Sequence, residues 1–194
     1  MHKGRLEAFS DGVLAIIITV MVLELHAPHE PTLETLRPLV PALLSYVLSF
    51  LYVGIYWNNH HHLMQGVRRV NGRVLWSNLG LLFWLSLFPF VIRWVGERGV
   101  TSVPTAAFGV VLLMAAIAFV IFQHALLRLH GSDSLLAEVA GVGIKGKISI
   151  ALYAGGIALA FRWPWVSGGL YAAAALMWLI PDRRIERVMS RRGA

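Results

Sequence analysis

The chain has 194 residues, of which 57% are hydrophobic and 14% charged, with a net charge of +7 and no cysteine. A soluble domain is nearer half apolar and a quarter charged, so this balance points to lipid; the missing cysteines exclude disulfides, thiolate metal sites and a cysteine nucleophile. The positive residues stand in short stretches between apolar runs, not on one face among aromatics, which argues against nucleic acid as a partner.

A bilayer core about 30 Å thick takes roughly 20 mostly apolar helical residues to cross. Six segments qualify, at residues 8–25, 38–63, 74–95, 103–127, 147–161 and 163–180. The expected fold is therefore an all-α integral membrane protein of six transmembrane helices, forming one domain over residues 1–194. The first segment has the basic start of a signal peptide, but Asp11 interrupts its apolar run and no small-x-small site follows Leu25. It carries Ser10, Asp11, Thr19 and Glu24, and polar residues inside a membrane are costly enough to be functional candidates. With Ile16 at zero and about 100° per residue, Val20 falls near +40°, Leu23 near −20°, Thr19 near −60° and Asp11 near −140°. One stripe is thus apolar with a threonine at its flank, and a carboxylate lies on the far side near the N-terminal end.

The second segment ends in Tyr56-Trp57-Asn58-Asn59-His60-His61-His62. It runs opposite to the first, so this cluster and Ser10/Asp11 share one membrane face, and an Asp–His or Asp–Trp hydrogen bond would offset the cost of the buried carboxylate. Consecutive helical histidines point about 100° apart and cannot all reach one ion, so structural hydrogen bonding is favoured over metal. In the third segment Pro89 is expected to introduce a kink. Gln123 and His124 in the fourth read as packing contacts. The fifth is short and glycine-rich, and Arg162 with Pro164 turns it into the sixth, a tight hairpin. Tryptophans 84, 94, 163, 165 and 178 fall mostly near span ends, as an aromatic belt does.

Residues Gly141 to Lys147 match G-x-x-x-x-G-K, but Ile148 stands where a hydroxyl must hold magnesium and no strand precedes it. The match is a coincidence. No serine–histidine–acid or paired-carboxylate spacing argues for an enzyme, and no cofactor is implied. Six spans divide the basic residues into two sets, 13 at the termini and the second-to-third and fourth-to-fifth connections against Arg37, Arg93, Arg98 and Arg162. The richer side is the cytoplasm, which places both termini there, in a multi-pass protein of the plasma membrane. Read from these residues alone, a channel, a proton- or substrate-coupled transporter using Asp11 and the His60–His62 cluster, and a non-conducting scaffold all stay open.

The opening segment, Arg5-x3-Phe9-Ser10-Asp11-Gly12 followed by an apolar run, Thr19 and Leu23-Glu24-Leu25, closely resembles the first helix of the bacterial family related to the endolysosomal potassium channel called transmembrane protein 175. The Tyr-Trp-x-Asn-His-His stretch is similar to that family's second helix. The resemblance implies a homotetrameric, weakly to moderately selective potassium channel, with the first helix of each subunit lining a central pore and potassium as the permeant ion. It implies that Ile16 forms the narrowest apolar ring, with Val20 and Leu23 as further layers and Thr19 contributing to ion selection. Arg5, Phe9, Ser10 and Asp11 would belong to a polar network with Trp57, His60 and His61. Val20 is smaller than the leucine familiar at the second layer. Glu24 at the outer mouth, with Glu30 and Glu34 beyond it, would concentrate cations there; Glu30 and Glu34 read equally well as an ordinary solvated loop.

Overall fold

The computed structural model describes residues 3–28, 32, 34–131 and 144–179. Among these the chain is helical throughout: α1 (Lys3–Leu23), a 3-10 turn (Glu34–Leu39) leading into α2 (Val40–Gln65), α3 (Gly72–Leu85), α4 (Phe88–Arg98), α5 (Ser102–His130), α6 (Ile144–Ala160) and α7 (Pro164–Leu179). Glu30, Gly141 to Gly143, Ile180 and the arginines of the C-terminal tail lie outside the described residues.

The stretches Lys3–Leu23, Glu34–Gln65, Gly72–Arg98 and Ser102–His130 are each long and apolar enough to cross a membrane. Helices α6 and α7 are shorter, with 17 and 16 residues. At 1.5 Å per residue each spans roughly 25 Å, close to the lower limit for a bilayer core. The third segment is one rod in two pieces, so the described residues form six rods of this multi-pass membrane protein.

Local chemistry sets the breaks. Asn71 caps α3 by accepting the Val74 N–H at 3.0 Å. Pro89 sits in the first turn of α4; it cannot donate to the Leu85 carbonyl, and its ring crowds that carbonyl. The chain therefore tightens before it, with the Leu87 N–H reaching the Trp84 carbonyl at 3.3 Å. The expected disturbance is thus a two-residue break at Ser86 and Leu87 within one rod. Gly131 ends α5 at φ +86°, where a side chain would be strained, and its N–H returns to the Leu127 carbonyl at 2.9 Å. Between α6 and α7 the N–H groups of Arg162 and Trp163 both donate to the Leu159 carbonyl, at 3.0 and 2.7 Å. Pro164 then opens α7, where a missing N–H removes no helical bond.

Helix α5 is central and packs on α3, α4, α6 and α7. Tyr52, Tyr153, Tyr171 and Phe88 are buried around it, as is its own Phe122. Tyr171 fills a notch left by two glycines, Gly109 and Gly156, whose lack of side chains admits its ring and hydroxyl. The Tyr52 hydroxyl donates to the Tyr171 carbonyl at 2.7 Å, joining α2 to α7. Trp178 donates to the Ser149 hydroxyl oxygen at 2.8 Å, closing α7 onto α6. The outer surface is apolar on several rods, with Trp76, Phe83, Ile121 and Leu176 all exposed; such a belt suits acyl chains, not water. Helix α1 packs on α2, α3 and α4, at the margin of the bundle.

Candidate pore-lining helix and its anchor

Being marginal, α1 has two unlike faces. Leu6, Ser10, Leu14, Ile17 and Met21 recur every three or four residues and are buried against the protomer. The opposite stripe, Arg5, Phe9, Gly12, Ile16, Thr19 and Leu23, has the same spacing and is exposed. Ile16 is 63% exposed and Leu23 76%, although both are large and apolar. Val20, on the flank, is partly covered. The protomer therefore anchors one side of α1 and presents the other.

The anchor is a line of hydrogen bonds through three helices. Ser10 donates its hydroxyl proton to the Leu6 carbonyl at 2.9 Å. Its oxygen then accepts from the Asn78 amide nitrogen on α3, at 2.9 Å. That fixes the Asn78 amide, whose oxygen accepts from His60 Nε2 on α2 at 2.9 Å. His60 is thereby set as the Nε2–H tautomer. Its Nδ1 is buried without a partner among the described residues. Its ring stacks on Phe122 of α5 at 5.3 Å and 5°. Ser10, Asn78 and His60 are all essentially inaccessible, so the line is shielded from water and each member depends on the others.

A second set of contacts lies nearer the surface. Trp57 donates its indole N–H to Asp11 Oδ1 at 3.1 Å, and its ring stacks on His61. His61 Nδ1 is 3.5 Å from Glu7 Oε1, and its Nε2 is 3.0 Å from the Gln65 amide. Lys3 donates to the Met64 carbonyl at 3.3 Å. Together these tie the first turns of α1 to the last turns of α2.

The structure thus brings Ser10, Asp11, Trp57, His60 and His61 to one junction, with Asp11 bonded to Trp57 and not to a histidine. Arg5 and Phe9 stand apart, on the exposed stripe. Asn78 is the central member that sequence reasoning missed. An amide inside an apolar third span is a costly polar residue like Asp11, and that signal was available. Thr19 donates its hydroxyl proton to the Ile16 carbonyl at 2.8 Å, which leaves the oxygen lone pairs free to face outward. Glu24 lies 3.9 Å from Arg93 Nε, and the same nitrogen donates to Glu97 at 2.9 Å. The negative charge expected of Glu24 is therefore partly offset, while Glu34 is exposed on the 3-10 turn. Among the described residues no group of three or more histidines and carboxylates could hold a metal ion.

A family model described as endosomal/lysosomal potassium channel TMEM175 matches residues 5–89, the stretch that contains nearly all of α1, with α2, α3 and the line from Ser10 through Asn78 to His60. A potassium channel of Chryseobacterium sp. (strain P1-3) is 52% identical over 187 residues, covering 96% of this chain and 97% of that one. The chain belongs to the TMEM175 family. A potassium channel of Chamaesiphon minutus is 31% identical over 195 residues, covering 92% of this chain and 94% of the relative. The crystal structure of a lysosomal potassium-selective channel TMEM175 homolog from Chamaesiphon minutus superposes with a TM-score of 0.76 at 28% identity, covering 92% of this chain and 96% of that one. TMEM175 is an ion-channel family, not an enzyme family, and it implies no cofactor.

Proposed function

We propose that this chain is one subunit of a homotetrameric potassium channel of the plasma membrane, with residues 1–194 acting as one channel domain. Both termini lie in the cytoplasm, and the exposed stripe of α1 lines the pore. The observation that carries the reading is that stripe. Large apolar side chains and a hydroxyl face away from the protomer, on the helix whose other face is held by buried hydrogen bonds. One stripe cannot enclose a conduit, but four copies around an axis can.

In that arrangement Ile16 forms the narrowest ring, flanked by Val20 and Leu23. Rings of branched apolar side chains gate by dewetting, so a small rotation of α1 is enough to open or close them. Thr19, with its proton held by the Ile16 carbonyl, offers oxygen lone pairs to a cation that has shed part of its hydration shell. Such a ring selects less sharply than a filter built of backbone carbonyls, which gives weak to moderate preference for potassium. The rim beyond it carries Glu24, restrained by Arg93.

The anchor is a tie and not a proton relay. The Asn78 amide does not ionise and so interrupts any chain of proton transfers between His60 and Ser10, and Asp11 is bonded to an indole N–H, which does not accept protons. This disfavours a transporter running on Asp11 and the His60–His62 cluster. Flux into liposomes containing purified protein tests the reading: potassium uptake should exceed sodium uptake, and Ile16→Asn should increase both by wetting the constriction. Absence of flux from folded wild type and variant would overturn it.

A further inference from the structure

We propose that His130 is a pH-operated latch between the loop joining α2 to α3 and the C-terminal end of α5. It holds the loop while its imidazole is neutral and releases it when the cytosol acidifies. Its Nδ1 lies 3.0 Å from the Leu126 carbonyl one turn back. A carbonyl only accepts, so Nδ1 carries the proton. Nε2 receives two backbone N–H groups from the loop, Arg68 at 3.1 Å and Arg69 at 3.4 Å. Those amides only donate, so Nε2 must keep its lone pair. The three contacts together admit the neutral Nδ1–H tautomer alone. Protonation would place an N–H on Nε2 against two N–H donors, and both loop bonds would be lost. Imidazole is the side chain that makes this change between about pH 5 and 8, and His130 is accessible enough to take up a proton.

The charged groups on the elements that meet here can be named. Arg68 and Arg69 on the loop, Arg73 at the start of α3, Arg128 on α5 and Lys3 on α1 are all cationic, and Glu7 is paired with His61. Arg69 Nη2 also donates to the Leu129 carbonyl at 3.2 Å, a bond that neither state of His130 removes. The released loop would therefore pivot on Arg69 and not detach. The loop connects α2 to α3, and these two helices carry Trp57 and Asn78, the partners of α1. Release loosens the frame that holds α1, a consequence that rests on the channel reading above.

The test is hydrogen exchange of residues 66–71 in nanodiscs at about pH 7.5 and about pH 5.5, corrected for intrinsic rates. Wild type should lose roughly tenfold protection at Arg68 and Arg69 on acidification. His130→Gln keeps an acceptor that does not titrate and should stay protected at both values; His130→Arg, a permanent donor, should be unprotected at both. Protection in wild type that ignores pH would overturn the latch. In liposomes, potassium flux should respond to pH on the cytosolic side in wild type and not in His130→Gln, and equal responses would overturn the coupling to conduction. Wild type without flux at any pH would remove the channel reading, while the exchange result would still judge the latch.

Discussion

Replacing Asn78 with leucine removes the middle of the line that fixes α1. Two buried hydrogen bonds disappear, each contributing about 1 kcal/mol in water-soluble proteins and about 0.6 on average between membrane helices. Ser10 keeps its bond to Leu6, so its loss is small. His60 is left worse off, because its Nδ1 already lacks a partner among the described residues and its Nε2–H then joins it. A buried donor left unmade costs about 1–3 kcal/mol. The sum is roughly 2–4 kcal/mol, a large share of a stability of about 5–15 kcal/mol. Reversible unfolding in mixed micelles, read by tryptophan fluorescence, measures it. The sharper test adds His60→Phe, which should preserve the stacking on Phe122 while deleting both buried nitrogens. The double variant His60→Phe, Asn78→Leu should be more stable than Asn78→Leu alone, with a coupling of about 1 kcal/mol or more. A single variant as stable as wild type, or a double variant whose losses simply add, would refute the view that these residues act as one tie.

Two further substitutions separate packing from conduction. Gly156→Ala drives a methyl group into the Tyr171 ring and should destabilise the protomer by about 1–3 kcal/mol in the same unfolding assay. Gly168→Ala meets open space and should lose nothing. Thr19→Val removes a hydroxyl whose hydrogen bond is local, to Ile16. The protein should fold normally, while the potassium-to-sodium flux ratio in liposomes falls toward one.

The six rods are legible in the sequence because membrane crossing depends on apolar length, which no tertiary contact alters. Their detail is less so. Pro89 announced a disturbance, but whether a proline bends or interrupts a helix depends on what neighbours supply to the freed carbonyls, and here the chain separates α3 from α4. The angular reading of α1 set Asp11 well away from the Ile16 stripe, and the structure places it on the flank facing Trp57. Helical geometry alone was enough for that. It could not choose Trp57 over a histidine, since the choice turns on the relative rotation of α1 and α2. Asn78 is marked in the sequence as a polar residue within an apolar span, but its partners are not, because they follow only from α3 touching both α1 and α2. The seat of Tyr171 between Gly109 and Gly156, and the pairing of Glu24 with Arg93, depend in the same way on which rods become neighbours.

The central claim is that the exposed stripe of α1 faces a water-filled pore and not lipid. The natural chain has no cysteine, so single cysteines can be placed along α1 and treated with a charged thiol reagent while potassium flux is followed. Ile16→Cys and Leu23→Cys should be blocked by the reagent. Val22→Cys should be unaffected, because Val22 is also exposed, at 47%, but lies about 120° around the helix from Ile16. Block at Val22, or conducting Ile16 and Leu23 variants that the reagent leaves untouched, would place the pore elsewhere.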